Sequence, residues 1–320
     1  MGNTEMKRMI LFLTLLSVLL ALGACEGQGT SAETGTESVT SSAAVSEAAT
    51  SEQEPEAEEP AKIRVLTQNL RSGNDSGGNS IRERQPRFRE LMAEYTPDLV
   101  GTQETTWDWL LYLKRTFGEE YSVLGCSREG KDATSGEWNA ILYKADRFEL
   151  LDSDTFWLTS TPEKVSAVNG SKCKRICTWA LLKDTETGAT LVFCNTHLDH
   201  SNNDIRNQQA QYLISGLQEY IGKYPVILTG DFNASNSTTP YKTITSTLKD
   251  SHWAAKKKSS GGCTFHNYGA SSSEIDFVFF DDAFLTAEQY YVVKDDFGGY
   301  VSDHYGVWTD FSLKSPETGA

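Results

Sequence analysis

The sequence predicts a layered α/β domain: a four-layer αββα sandwich in which two mixed β-sheets lie face to face and helices cover them outside. Three observations carry that expectation. Apolar runs such as Leu191-Val192-Phe193-Cys194, Val226-Ile227-Leu228 and Phe277-Val278-Phe279-Phe280 are short, rich in β-branched or aromatic residues and flanked by turn formers, as buried strands are. Stretches whose apolar residues recur every three or four positions alternate with them, which suits helices packed on sheets. Once the first 60 residues are set aside, about 260 remain, a normal size for two sheets with outer helices.

In chain order, residues 1–24 read as an address. Lys7 and Arg8 precede the apolar stretch Met9 to Leu20, and Leu22-Gly23-Ala24-Cys25 follows. This resembles the lipobox of bacterial lipoproteins, which implies a secretory signal ending at Ala24, a lipid on Cys25 and an extracytoplasmic, membrane-anchored protein. The apolar stretch is short for a span, which needs about 20 residues. Residues 25–60 are expected to be a disordered acidic tether, because a segment rich in Ser, Thr, Ala and Glu, with no Lys, Arg or aromatic residue after Cys25, cannot bury enough apolar surface to offset its ordering entropy. The catalytic domain is then 61–320. The chain carries a net charge of −15; without the nine tether glutamates and the leader's net +1, the domain retains −7. That field does not attract nucleic acid in general, although a bound cation and a few local Arg or Lys can reverse the sign inside a cleft.

Within the domain, strands are expected near Ile63 to Gln68, Leu99 to Gln103, Ala140 to Tyr143, Thr178 to Lys183, Leu191 to Asn195, Val226 to Thr229, Ile275 to Phe280 and Tyr305 to Thr309. Helices are expected at Ile81 to Glu94, Trp107 to Phe117 and Asp204 to Ile221. Of six cysteines, five follow Cys25, an odd number that allows at most two disulfides. Their spacing matches no CxxC zinc pattern, and Cys194 in an apolar strand reads as a core thiol.

Short polar motifs follow or lie beside these apolar runs: Gln68-Asn69, Gln103-Glu104, Asn195 through His200, Gly230-Asp231-Phe232-Asn233, Ile275-Asp276 and Ser302-Asp303-His304. Polar groups leaving the ends of many buried strands must converge. Carboxylates, carboxamides and imidazoles in one cleft make a hard-cation site flanked by acid and base groups, the equipment for cleaving a phosphoester.

In order and spelling the six motifs resemble the endonuclease/exonuclease/phosphatase superfamily, from about Ile63 to Phe311. The resemblance implies a phosphoester substrate, a Mg²⁺ or Mn²⁺ cofactor and in-line attack by water without a covalent intermediate. It implies that Glu104 and Asp303 bind the metal, with Asn69 as ligand or orienter, and that Asp276 holds His304 in a carboxylate-imidazole dyad. Asp231 and Asn233 would meet the attacking water and the phosphate, the general base being either Asp231 or the dyad. His197 would contact a phosphate oxygen or protonate the leaving oxygen, and Glu137 falls where deoxyribonucleases place a glutamate beside that histidine, though Gly136-Glu137 also reads as a hairpin tip. Arg128, Arg175 and Arg206 are anion clamps on this reading, or surface ion-pair formers. The run Lys256-Lys257-Lys258 either tracks a polyanion over the cleft or is a solvated loop.

Asn69-Leu70-Arg71 and Ser302-Asp303-His304-Tyr305 look deoxyribonuclease-like, so a monomeric extracellular nuclease is the first expectation. A sphingomyelinase-like enzyme or an inositol- or sugar-phosphate phosphatase is the alternative. A binding lipoprotein that keeps the fold without turnover is disfavoured, because Glu104, His197, Asp231, Asp276, Asp303 and His304 are all present. Substitution of Cys25 by Ser is expected to release the protein from the membrane fraction while the domain stays folded; unchanged partition on fractionation would place the anchor elsewhere.

Overall fold

The computed structural model describes residues 61–259 and 261–314. The address and tether lie outside the described residues. The strands are β1 (Lys62–Asn69), β2 (Leu99–Thr105), β3 (Tyr121–Leu124), β4 (Trp138–Lys144), β5 (Phe148–Trp157), β6 (Ile176–Asp184), β7 (Thr190–His197), β8 (Val226–Asp231), β9 (Lys249–Asp250), β10 (Lys257–Lys258), β11 (Asp276–Phe280), β12 (Leu285–Val293) and β13 (Gly306–Leu313). The helices are α1 (Ile81–Tyr95), α2 (Trp107–Phe117), α3 (Asn203–Leu217), α4 (Thr239–Thr245) and α5 (Ser251–Ala254).

One sheet runs β10-β12-β13-β1-β2-β4-β3 and the other β5-β6-β7-β8-β11-β9. Both are mixed. The pairs β1/β2, β10/β12 and β7/β8 are parallel and the remaining neighbours antiparallel. Apolar side chains gather into three main layers. Between the sheets lie Val65, Leu99, Ile141, Phe193, Ile227 and Val278. Outside the second sheet, Val192, Cys194 and Leu228 meet Leu213 and Leu217 of α3 and Ile244 of α4. Outside the first, Leu66 and Val100 meet Phe88 and Leu91 of α1 and Trp109 and Leu113 of α2. Strand β7 therefore buries Leu191 and Phe193 on one face and Val192 and Cys194 on the other. Burial on both faces is why its sequence is apolar without alternation.

Helix ends follow local chemistry. Ser80 and Glu83 form a reciprocal capping box at the start of α1, and Asn202 caps α3 through its side-chain oxygen. Helix α3 stops at Leu217 rather than Ile221. The sequence signal was weakest for β3, β5, β9, β10 and β12 and for α4 and α5. Strand β5 is an edge whose middle carries exposed Glu149 and Asp152, and β12 interleaves Thr286, Glu288 and Gln289 with its apolar residues, so neither reads as an apolar run. The lysine run is a strand on the other edge: Lys256 pairs with Glu288, and Lys258 donates to the His252 and Trp253 carbonyls. Cys126, Cys173, Cys177, Cys194 and Cys263 are all free thiols.

The sheets meet closely beneath the polar ends of their central strands. Gly101 on β2 has no room for a side chain, since a Cβ there would lie 2.2 Å from Thr229 Oγ1 and 2.7 Å from Asn195 Oδ1. Gly101→Ala is expected to destabilise the fold by about 2 kcal/mol or more, through overpacking. An unchanged midpoint of urea unfolding would show that the sheets can separate freely at this point.

Candidate active site

Register brings the polar groups together. On the second sheet His197 pairs with Asp231 across β7/β8, and Asp231 pairs with Asp276 across β8/β11, so three neighbouring strands present imidazole, carboxylate and carboxylate side by side. On the first sheet Asn69 ends β1 opposite Gln103, with Glu104 next along β2, while Asp303 and His304 lie just before β13. These two groups face each other over a cleft of about 410 Å³ that is also lined by Arg71, Arg128, Glu137, Arg175 and His200.

Asn69 joins the halves, its Nδ2 donating to Glu104 Oε1 at 3.2 Å and to Asp231 Oδ2 at 3.0 Å. Its side-chain oxygen accepts from the Arg71 amide, which fixes the orientation of the amide that donates to Glu104. Ser72 donates both its amide and its hydroxyl to Glu104 Oε2. Burial opposes charge on Glu104, but the Ser72 and Asn69 donors outweigh it and hold the carboxyl below its usual range. Asp303, by contrast, is pushed up by burial.

His304 Nδ1 lies 2.9 Å from Asp276 Oδ2, and its Nε2 lies 3.9 Å from both Asp231 and Asp303. Burial works against the imidazolium, yet the surrounding carboxylates, Asp276 first, raise His304 well above the ordinary imidazole value. Asp231 is raised by burial and by the neighbouring Asp276 charge. His197 goes the other way, since burial and then Arg175 press it well below its usual value and keep it neutral. Asn233 Nδ2, which can only donate, lies 3.0 Å from His197 Nε2, so the proton of His197 resides on Nδ1. Among the described residues, Asp231, Asp276 and His304 form a group whose ligand atoms lie within 4.8 Å of one another and could hold a metal.

The backbone is strained at this place. Among the described residues, six other than glycine have positive φ, and Arg71, Glu104, Asn233 and Asn267 of these line the cleft. At Glu104, with φ 52, β2 breaks register with β4 between Thr102 and Thr105 and turns the carboxylate into the cleft.

A model of the endonuclease/exonuclease/phosphatase family matches residues 66–304, the stretch that contains every group of this cleft floor. The chain belongs to that family. It is similar to an endonuclease/exonuclease/phosphatase protein from Bacteroides vulgatus, with 30% identity and a TM-score of 0.74 over 79% of this chain and 100% of that one. It is similar also to a mannosyl-6-phosphatase from Bacteroides thetaiotaomicron, with 28% identity and a TM-score of 0.69 over 79% and 100%. Among curated proteins, protein angel of Drosophila melanogaster is 27% identical over 162 residues, 50% of this chain and 45% of that protein, so the match spans less than half of angel's length.

Family membership makes this a phosphoesterase, nuclease- or phosphatase-like, of a kind that uses a divalent metal. The structure gathers Asn69, Glu104, His197, Asp231, Asn233, Asp276, Asp303 and His304 at one place, with Arg128, Glu137 and Arg175 on the walls. Glu137 lines the cleft with His197, and its Oε2 is held by Arg128 at 2.7 Å. One expectation is corrected. Arg206 does not line the cleft; its guanidinium donates to the Asp199 carbonyl and to Asn203, capping the entry to α3.

Sequence reasoning missed Ser72 and Arg84. Arg84 on α1 has no exposure and donates to the carbonyls of Leu70, Arg71, Gly73 and Asn79, shaping the loop that brings Ser72 to Glu104. An arginine on the apolar face of a predicted helix was the available signal. Arg84→Met is expected to cost about 3 kcal/mol, because several charged hydrogen bonds are lost from a buried loop. Limited proteolysis should then cut within 70–79; a loop as resistant as the parent's would mean that other contacts shape it.

Proposed function

We propose that the chain hydrolyses a compact phosphoester, of the size of a sugar phosphate, using Mg²⁺ or Mn²⁺ and in-line attack by water. One arrangement carries this reading. Arg175 is a buried guanidinium on the cleft wall with no carboxylate partner among the described residues, whereas Arg71 is paired with Asp75 and Arg128 with Glu137. A single unneutralised guanidinium matches one phosphoryl group. A polyanion would need a row of cations, and the domain is acidic. Similarity to the mannosyl-6-phosphatase supports the same choice. The deoxyribonuclease-like spelling at Asn69 and Ser302 favours a nuclease as the second reading.

The donor set fits a hard divalent cation. Oxygen ligands predominate, buried carboxylates crowd one another, and Asp276 Oδ1 is buried without a hydrogen-bond donor. Glu104 and Asp303 would hold the ion, with Asn69 orienting Glu104. When bound, it would neutralise charge that builds on the phosphoryl oxygens. Arg175 binds those oxygens, while the two N–H donors of Asn233, directed at His197 Nε2 and the Leu198 carbonyl, fix the His197 ring. Asp231, raised and uncapped by any cation but His304, accepts the proton of the attacking water, while His304, kept charged by Asp276, stabilises the developing negative charge. A lipid on Cys25 and the tether 25–60 would place this chemistry outside the cytoplasm, on a monomer.

EDTA is expected to abolish hydrolysis and Mg²⁺ or Mn²⁺ to restore it, with Glu104→Gln raising the metal concentration needed and Asp231→Asn lowering kcat about a hundredfold or more. Full activity in EDTA would overturn the mechanism. For the substrate, a panel of sugar phosphates, inositol phosphates, sphingomyelin, RNA and single- and double-stranded DNA is decisive. Turnover of a sugar phosphate with shallow salt dependence, and a KM raised about tenfold or more in Arg175→Met, supports the proposal. Preference for DNA with a log-log salt slope of about one per phosphate would replace it with the nuclease reading.

A further inference from the structure

Beside the cleft lies a second cavity of similar size, about 390 Å³. His304 is shared between them. Along one strip of chain, Phe265 and Asn267 line the cleft while His266 lines the second cavity, so the two are separated by a wall one residue thick. The wall is unusual in what it lacks. His266 is 3% exposed, stacked on Tyr300 at 4.6 Å and tilted against Tyr305 at 4.1 Å between ring centroids, and neither of its ring nitrogens has a hydrogen-bond partner. Gln68, also on the wall, has a buried Oε1 without a donor.

The mouth is acidic. Asp295 and Asp296 are exposed there and lead outward to a shallower depression shared with Glu90 and Glu94. Against these four carboxylates stand Lys294, the charged His304 in the shared wall and, on the Tyr300 carbonyl, Arg87, while Asp295 Oδ2 also accepts from the Tyr95 and Tyr291 hydroxyls. Lys294 Nζ sits 6.0 Å over the ring of Tyr305, so a tyrosine face of this cavity already receives an ammonium group.

We propose that this cavity is a binding site for a small organic cation, a primary ammonium or diammonium ion, distinct from the phosphate-binding cleft. The acidic mouth repels phosphate esters and raises the local concentration of cations. Tyrosine faces attract an ammonium group, and its N–H donors supply what a wall rich in acceptors is missing. The ligand takes the place over Tyr305 that Lys294 now occupies.

Calorimetric titration of the full chain with putrescine, with inorganic phosphate present to occupy the cleft, tests this. The expected result is one putrescine per chain, with affinity independent of phosphate and at least tenfold above that for the neutral isostere 1,4-butanediol. Asp295→Asn and Tyr300→Leu are each expected to weaken binding at least fivefold; both side chains are exposed, so the fold should be retained, as circular dichroism would verify. In NMR spectra the His266 ring signals should shift and those of His200, in the cleft, should not. Absence of saturable binding, equal affinity for 1,4-butanediol, or binding unchanged in both variants would overturn the proposal.

Discussion

Two sheets share an active site only if their strands stay in fixed register across the interface, and here one buried amide holds that register. Asn195 projects from β7 into the first sheet, its Nδ2 donating to the carbonyls of Thr102 at 2.8 Å and Ala140 at 2.9 Å. Its Oδ1 accepts from Gln103 Nε2 at 2.7 Å and lies 3.3 Å from the Thr229 hydroxyl. A carboxamide offers two donors and two acceptor lone pairs, and all four directions are used. A satisfied polar group in an apolar core tolerates one alignment of the layers, because any slip leaves several buried groups unpaired. The residues it fixes lie one or two positions from the chemistry: Gln103 precedes Glu104, Asn195 lies two before His197, and Thr229 two before Asp231.

That tie explains what the sequence revealed and what it withheld. Strands buried on both faces, such as β7, β8 and β11, were legible as apolar runs, and the polar motifs at their ends were legible because they break those runs. The edge strands β5 and β10 were not, since half of their surface is wet and their sequence is that of a loop. Asn195 itself was read among the polar groups that leave strand ends to converge in a cleft. Its motif was right, but nothing in one chain's sequence tells a carboxamide aimed into the core from one aimed into a cleft. Arg206 failed for a similar reason: it found a nearer partner at the entry to α3, and pairing of that kind is decided by loop geometry.

The site is held together against its own electrostatics. Glu104, Asp231, Asp276 and Asp303 crowd one floor, and burial raises Asp231 and Asp303 while Glu104 stays low only through Ser72 and Asn69. Four positive-φ residues add backbone strain of about 1–3 kcal/mol each. Such costs persist where surrounding structure over-determines them, and Arg84, with its guanidinium spread over four carbonyls of the 70–79 loop, belongs to that surrounding structure.

A division of labour follows from where the two kinds of residue sit. The groups suited to metal and proton chemistry stand on strand ends, or within one or two residues of them, and share the rigidity of the Asn195 tie. Arg175 lies just ahead of β6, and Arg128 lies in the loop between β3 and β4, beyond the reach of that tie. Loops can change while the floor stays fixed, so the same floor can serve different phosphoesters. In this chain the loops neutralise Arg128 with Glu137 and leave Arg175 without a carboxylate partner among the described residues, and on the proposed function that difference between two loop arginines, rather than any residue of the floor, selects the charge of the substrate.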